Sequence, residues 1–449
     1  MLAAHASLNL PQSLGDGLIL RLATQTDTQA LADFNARILV DVDEPPEPVG
    51  IWTRDLMSGR NPTTSAADFV VIEDTHTTRI VSSACLIPQT WAYEDIPFPV
   101  GRPELIGTEP AYRRRGLARA TLEAIHALSA AYGHKVQGIT GVPWFYRQFG
   151  YEYALPLGGW RDLNVNDVPA LEKDAGEPYQ IRRAGEEDIP TLMRLYERIC
   201  AGKLVTTLID EVRWRYDLTG HTPGSDTEYR AYCILNNEGH VVGYYSTPPR
   251  LWGSRLGVWE IGVEVGVSLR SVLPSALRAL KAQGEALAEA APEKTHLAAI
   301  RLALGLEHPA YQALGAKLGP AQRPYGWYIR VPDVQGFIRH IAPVLERRLA
   351  GSVMSGYSGE LKITFYQDGL RLAFEKGRLV EVTEWRAPET NIRWNGAGFP
   401  PLVFLKLLFG YRSLEELSDA FPDCRAWEEP ALLLNALFPK KASWTLPLG

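Results

Sequence analysis

The sequence predicts a mixed α/β protein (mixed sheets, with an α+β final part), and three observations carry that prediction. Strand-like and helix-like runs alternate through the first 165 residues. The opening of that pattern recurs about 160 positions later. Past Val334 a helical stripe gives way to strict two-residue alternation. At 449 residues the chain is long enough for two to four domains of roughly 100–200 residues each.

In the first region, Leu18 to Ala23 reads as a short strand and Gln29 to Leu39 as a helix, with Leu31, Phe34 and Ile38 on one face. Asp41 to Gly50 is rich in proline and acid and is expected to be a loop. Asp68 to Glu73 and Ile80 to Ile87 form a hairpin pattern around Asp74 to Thr78. Leu105 to Thr108 is a strand, Gly116 to Ala131 an alanine-rich helix and Val136 to Thr140 a further strand. A short helical turn follows at Trp144 to Phe149. Residues 1–17 are expected to be a loosely structured extension.

The second region starts at Tyr179. Arg21, Ala23, Asp27, Leu31 and Ile38 recur, 161 positions later, as Arg182, Ala184, Asp188, Leu192 and Ile199. A hairpin around NNEGH, a long helix (Arg270 to Glu289), a strand (Leu297 to Ala303) and HPAYQALG complete what reads as an internal duplication. In the third region Phe337, Ile338, Ile341, Leu345 and Leu349 make a helical stripe. Leu361 to Phe365, Leu370 to Phe374 and Leu379 to Thr383 then make a three-strand meander with one buried face. Apolar helices follow at Leu402 to Phe409 and Ala431 to Phe438.

Composition narrows the function. Acids outnumber bases 52 to 46, a net charge of −6, which argues against a general nucleic-acid binder and leaves room for a local basic cradle. Cys85, Cys200, Cys233 and Cys424 lie far apart with no CxxC pair, so neither a disulfide scaffold nor a structural zinc site is expected. Pro400 to Phe409 is too short to span a bilayer, and the N-terminus lacks a basic segment followed by an apolar one; a cytoplasmic location, away from membranes, is the expectation.

The chemistry concentrates in LIGTEPAYRRRGLARATLEAI (Leu105 to Ile125). A strand ends at Thr108, a turn holds Arg113, Arg114, Arg115 and Gly116, and the long helix starts at once. Cations at a helix N-terminus oppose the helix dipole, so three in a row call for an anion. Free backbone N–H groups, a glycine that allows close approach and planar arginine donors together make a phosphate cradle. His126 and His134 flank the helix and are expected to face solvent. The acidic run Asp41, Asp43, Glu44 and Glu47 is read as a polar loop that could also attract a cationic ligand.

Arg113-x-x-Gly116-x-Ala118, followed about thirty residues on by WFYRQFGYEYA (Trp144 to Ala154), resembles the pyrophosphate loop and the FYxxxGF segment of the GNAT (Gcn5-related) N-acetyltransferases. With LLFGYRSLEEL (Leu407 to Leu417) and the late LFP (Leu437 to Pro439), the whole plan is similar to Eis-type acetyltransferases. That resemblance implies a catalytic GNAT domain (18–165), a degenerate GNAT-like copy (178–332) and a sterol-carrier-protein-like (SCP2-like) C-terminal domain (333–449). It implies acetyl-CoA as cosubstrate and no metal. The pyrophosphate would lie on the backbone of Arg113, Arg114, Arg115, Gly116, Leu117 and Ala118, and the pantetheine arm along Ile106, Gly107 and Thr108. Tyr146 would be the general acid and the carboxylate of Gly449 the general base, although the subfamily typically ends in an aromatic residue. The acceptor would be a small-molecule or peptide primary amine, aminoglycoside-like or lysine-like, and the assembly a homo-hexamer. The second copy reads VEVGVSLRSVL at its strand–helix junction and is not expected to bind acetyl-CoA. The alternative is a non-catalytic acyl-CoA or lipid-binding protein.

Overall fold

The computed structural model describes residues 8–40, 45–142, 144–291, 295–386 and 396–447. The first region supplies β1 (Gln12–Gly15), β2 (Leu18–Leu22), β3 (Phe69–Asp74), β4 (Arg79–Tyr93), β5 (Ile96–Thr108), β6 (Val136–Ile139) and β7 (Glu152–Leu157). Its helices are α1 (Thr28–Ile38), α2 (Glu47–Met57) and α3 (Leu117–Ala131). Phe69 and Val71 pack with Leu31, Phe34, Trp52 and Leu56 of α1 and α2, whereas Val70 and Ile72 pack with Ile125 and Leu128 of α3. Alternate residues of one strand thus serve opposite faces. This is why FVVI is a continuous apolar run rather than an alternating one.

Two expectations change here. Gln12–Gly15, placed in the loose extension, pairs antiparallel with β2 as the sheet edge. Glu47 to Gly50, placed in a loop, opens α2: Pro48 stands in the first turn, where the missing N–H leaves no helix bond unmade. Asp41, Asp43 and Glu44 lie outside the described residues.

The strands of this sheet run in the order β1-β2-β3-β4-β5-β6, but the next is Tyr325–Arg330, and only then β7. The Tyr325–Arg330 strand pairs antiparallel with both β6 and β7. Conversely, Arg161–Asn164 leaves the first region and pairs antiparallel with Ala299–Leu302. Each half therefore lends a strand to the other, and the sheets cross the linear boundaries expected at 165 and 332.

The second region repeats local chemistry of the first. Arg21 chelates Asp27 with two bonds of 2.8 Å, and Arg182 chelates Asp188 at 2.6 and 2.8 Å. Each aspartate also accepts a backbone N–H three residues upstream, from Thr24 and from Gly185. Leu31 and Leu192, at matching offsets, are both fully buried.

In the third region the predicted stripe is two helices, Val334–His340 and Ala342–Ala350, with Pro343 opening the second. The meander is observed as Gly359–Thr364, Gly369–Glu375 and Arg378–Glu384, extended by two short strands into a five-stranded sheet. Its core merges with the far ends of β4 and β5 through Tyr93, Phe98, Phe337 and Phe409.

Burial also sets a pH dependence. His126 donates to or accepts from the Tyr151 hydroxyl at 2.8 Å, and His134 lies 3.0 Å from Ser129 Oγ. Neither faces solvent as expected. Desolvation lowers His126 from 6.5 to about 3, and His134 and His308 to about 4. Between those values and 6.5 the unfolded chain binds protons that the folded one refuses, so stability falls as pH falls. Up to three protons give a slope of up to roughly 4 kcal/mol per pH unit. Urea midpoints measured from pH 7 to 4.5 should drop accordingly, and the His134→Gln variant should flatten the slope.

Candidate active site

Parallel pairing between β5 and β6 ends at Val100–Val136 and Gly101–Gln137, although β5 runs on to Thr108 and β6 to Ile139. The two strands splay. The divergence coincides with a bulge: between Ser83 and Cys85 of β4 the partner strand advances from Gly107 to Glu104, and Leu105 takes φ +52°. Ile106, Gly107 and Thr108 form one lip of the resulting gap.

Beyond Thr108 the chain makes the arginine turn. Arg114 (φ +63°) and Gly116 (φ +79°) are both left-handed, and a Cβ at Gly116 would meet nothing within 4 Å. The glycine therefore serves backbone conformation and leaves open space beside the helix start. No side chain caps α3, whose first intrahelical bond runs from Ala120 N–H to Gly116 C=O at 3.0 Å. The N–H groups of Leu117, Ala118 and Arg119 are left for an external acceptor.

One groove of about 630 Å³ joins these parts. Ile106, Gly107, Thr108, Arg113, Arg114, Gly116, Leu117, Ala118 and Tyr146 all line it, so nine of the eleven sequence-predicted site residues come together. Arg115 does not line it: it pairs with Asp16 at 3.1 Å and lies over the Tyr112 ring. Gly449 lies outside the described residues. The chain leading toward it is threaded alongside Val205–Thr207, with Trp444 bonded to Val205 and Leu446 buried against Trp214 and Tyr244.

Sequence reasoning missed several walls of the groove. Ile38 and Leu39 close one side, and Phe145 and Phe149 of FYRQF the other. Arg119 lies over the Phe149 ring at 4.7 Å and bonds Gln148 at 3.1 Å. Among the described residues neither Arg113 nor Arg114 forms an ion pair, so both remain available to an anion. The second half differs at its counterpart: Ser268 caps the helix at Leu269 by accepting from Ser271 N–H, which occupies part of the anion-binding potential.

Tyr146 is 6% exposed and packs against Leu122, Ile139 and Tyr151. Its hydroxyl makes no hydrogen bond among the described residues and lies beside Gly141, where a Cβ would sit 3.0 Å from it. Burial, then the nearby Glu104 and Tyr325, raise its pKa well above 10. Glu104 is itself held by Arg102, a side chain 1% exposed that lies over the Trp327 ring at 4.9 Å. The phenol is thus buried, neutral at ordinary pH and part of the lining of the groove. Among the described residues no group of three or more His, Cys, Asp or Glu side chains could hold a metal ion, and no helix is long and apolar enough to cross a membrane.

Residues 20–154 match the family model of the acetyltransferase (GNAT) domain, a family that uses acetyl-CoA. No curated protein matches the chain. Among solved structures it is similar to a GCN5-related N-acetyltransferase from Kribbella flavida, with 16% identity and a TM-score of 0.63 over 98% of this chain and 100% of that one. It is similar to one from Anabaena variabilis at 15% identity and TM-score 0.62, covering 95% and 99% of the two chains. A third likeness is Eis1 from Mycobacterium abscessus, at 14% identity and TM-score 0.56 over 95% and 98%. At these identities the likeness is one of fold. The family match coincides with the groove: residues 20–154 match the acetyltransferase (GNAT) domain model, and that match supports an acyltransferase enzyme.

Proposed function

We propose that the protein is an acetyl-CoA-dependent N-acetyltransferase acting on a primary amine, with Tyr146 as general acid. The observation that carries this reading is the single groove shared by the uncapped start of α3, Arg113, Arg114, the Ile106–Thr108 edge and Tyr146. The diphosphate would lie on the Leu117 to Arg119 amides, and the pantetheine arm would pair with the splayed edge of β5. The halves are read as tandem GNAT units, the second without cofactor, followed by an SCP2-like domain. Their reciprocal strands and repeated Arg–Asp pairs support the tandem part.

An alkylammonium of pKa about 10 must lose a proton before it can attack. Its nitrogen then bonds to the thioester carbon, a backbone N–H steadies the oxyanion, the C–S bond breaks as the Tyr146 proton goes to sulfur, and the nitrogen gives up its remaining extra proton, which restores the Tyr146 phenol by way of solvent. Most of the acceleration comes from alignment of amine and thioester. The carboxylate of Gly449 is the proposed base, carried by the Eis-type resemblance alone.

Calorimetry with coenzyme A tests the groove, and thiol release over a panel of aminoglycosides, polyamines and lysine peptides tests the reaction. Changing Arg113 and Arg114 together to Ala should weaken coenzyme A binding at least about tenfold, more at low salt, since charge-assisted bonds contribute roughly 1.5–3 kcal/mol each before screening. Unchanged affinity would remove the cradle. Coenzyme A binding without turnover on any amine would favour a binding protein.

A further inference from the structure

The turn that carries Tyr146 is held largely from outside its own segment. Gly141 N–H donates to the Tyr325 hydroxyl at 3.0 Å, and Trp144 N–H donates to the Tyr328 hydroxyl at 3.3 Å. Each tyrosine lies 184 positions downstream of the amide it accepts from; the two are three positions apart, with a register shift between Trp327 and Tyr328, on the strand that the second half inserts between β6 and β7. The Tyr328 ring also stands against the Tyr146 ring, 6.1 Å between centroids.

The held segment needs holding. Trp144 has φ +70° and ψ −32°, a conformation that a bulky L-residue adopts only when its surroundings impose it. Its own side chain is 73% exposed, so packing does not impose it. Gly141, at φ +134°, lies against the Tyr146 hydroxyl so closely that a Cβ there would be 3.0 Å from it. Displacing the Gly141 backbone therefore changes the space around the Tyr146 hydroxyl. On the far side of the turn Arg147 bonds Glu152 at 2.6 Å, and Glu152 in turn pairs with Lys406 at 3.0 Å. That anchor fixes residue 147, whose N–H donates to the Trp144 carbonyl at 3.3 Å, while the Gly141 and Trp144 amides are held by the two tyrosines.

We infer that Tyr325 and Tyr328 are positioning residues for the transfer reaction: their hydroxyls clamp the Gly141 and Trp144 amides and so fix the Tyr146 hydroxyl against the splayed strand edge. The inference rests on the Tyr146 reading above. It assigns to the second half, which lacks a cofactor loop, a direct part in setting the geometry of the first.

The test uses the full chain with Tyr325→Phe and Tyr328→Phe, singly and together, because phenylalanine keeps each ring and removes only the acceptor oxygen. Deuterium exchange of the peptide covering residues 140–150 should quicken by about tenfold in the double variant, the scale of one lost hydrogen bond per amide. kcat should fall at least about fivefold while KM for acetyl-CoA stays within about twofold, since the cofactor edge is untouched. In a Tyr146→Phe background the same pair should cost no further activity, whereas a general weakening of the fold would still lower it. Unchanged exchange, unchanged kcat or full additivity with Tyr146→Phe would each overturn the clamp. Full activity of Tyr146→Phe alone would instead overturn the general-acid reading, and the exchange result would still report on the hydrogen bonds.

Discussion

Replacing Tyr146 with phenylalanine should lower kcat by about 10²–10⁴, the usual contribution of a positioned general acid, with coenzyme A affinity unchanged. The separation is expected because the cradle is built from Arg113, Arg114 and the start of α3, while the phenol belongs to a different element, the Phe145–Phe149 turn. Stability should barely change: the hydroxyl makes no hydrogen bond among the described residues, so its removal orphans no partner. Stopped-flow thiol release, calorimetry and thermal melts on one preparation check the three statements together. The pH profile adds a sign. Burial and the Glu104 carboxylate favour the neutral phenol, so the acid form persists upward through pH 10, and no alkaline loss of kcat below that should trace to Tyr146. An alkaline limb below pH 10 that Tyr146→Phe abolishes would contradict this.

The second large effect is structural. Trp327, on the inserted strand, is fully buried, meets Trp91 edge-on at 5.5 Å between centroids and lies under the Arg102 guanidinium. Its change to Ala should cost about 3–5 kcal/mol through lost contacts and the cavity left behind. It also strips Arg102 of its aromatic face, leaving the buried Arg102–Glu104 pair less well packed. A fall of roughly 10 °C in Tm is expected for a unit of this size. Trp427→Ala, at a side chain 62% exposed, should stay within about 0.5 kcal/mol and serves as the control. Equal melting of the two variants would show that the inserted strand is peripheral to the sheet.

The site was legible where its chemistry is local. Arg113, Gly116 and Ala118 lie within one turn and Tyr146 lies in FYRQFGY; the resemblance of those two short segments to GNAT motifs grouped them, and all four line one groove. Arg115 shows the limit of that reasoning: adjacency in a run does not say which way each side chain leaves the backbone, and this one turns to Asp16. The splay of β5 from β6 was not legible, because it depends on a bulge at Leu105 that no glycine or proline marks. Nor were Tyr325 and Tyr328. A strand that pairs across 184 positions leaves no periodic trace of its partner, and YGWYIR reads equally well as an edge strand of its own region. The helix at Glu47 was hidden by a proline that suits a first turn as well as a loop. His126 and His134, polar residues on and just past the end of a helix, read as solvent-facing because nothing in the sequence marks the Tyr151 and Ser129 partners that hold them.

The mutual loan of strands has a consequence for biosynthesis. When Leu157 leaves the ribosome, Val136–Ile139 and Glu152–Leu157 have no neighbour to join them, and the seam stays open until Arg330 has been made. At about 5–20 residues per second that interval is on the order of ten seconds or more. Through it the nascent chain displays two unpaired backbone edges beside Tyr146, edges of the kind that can pair with another chain.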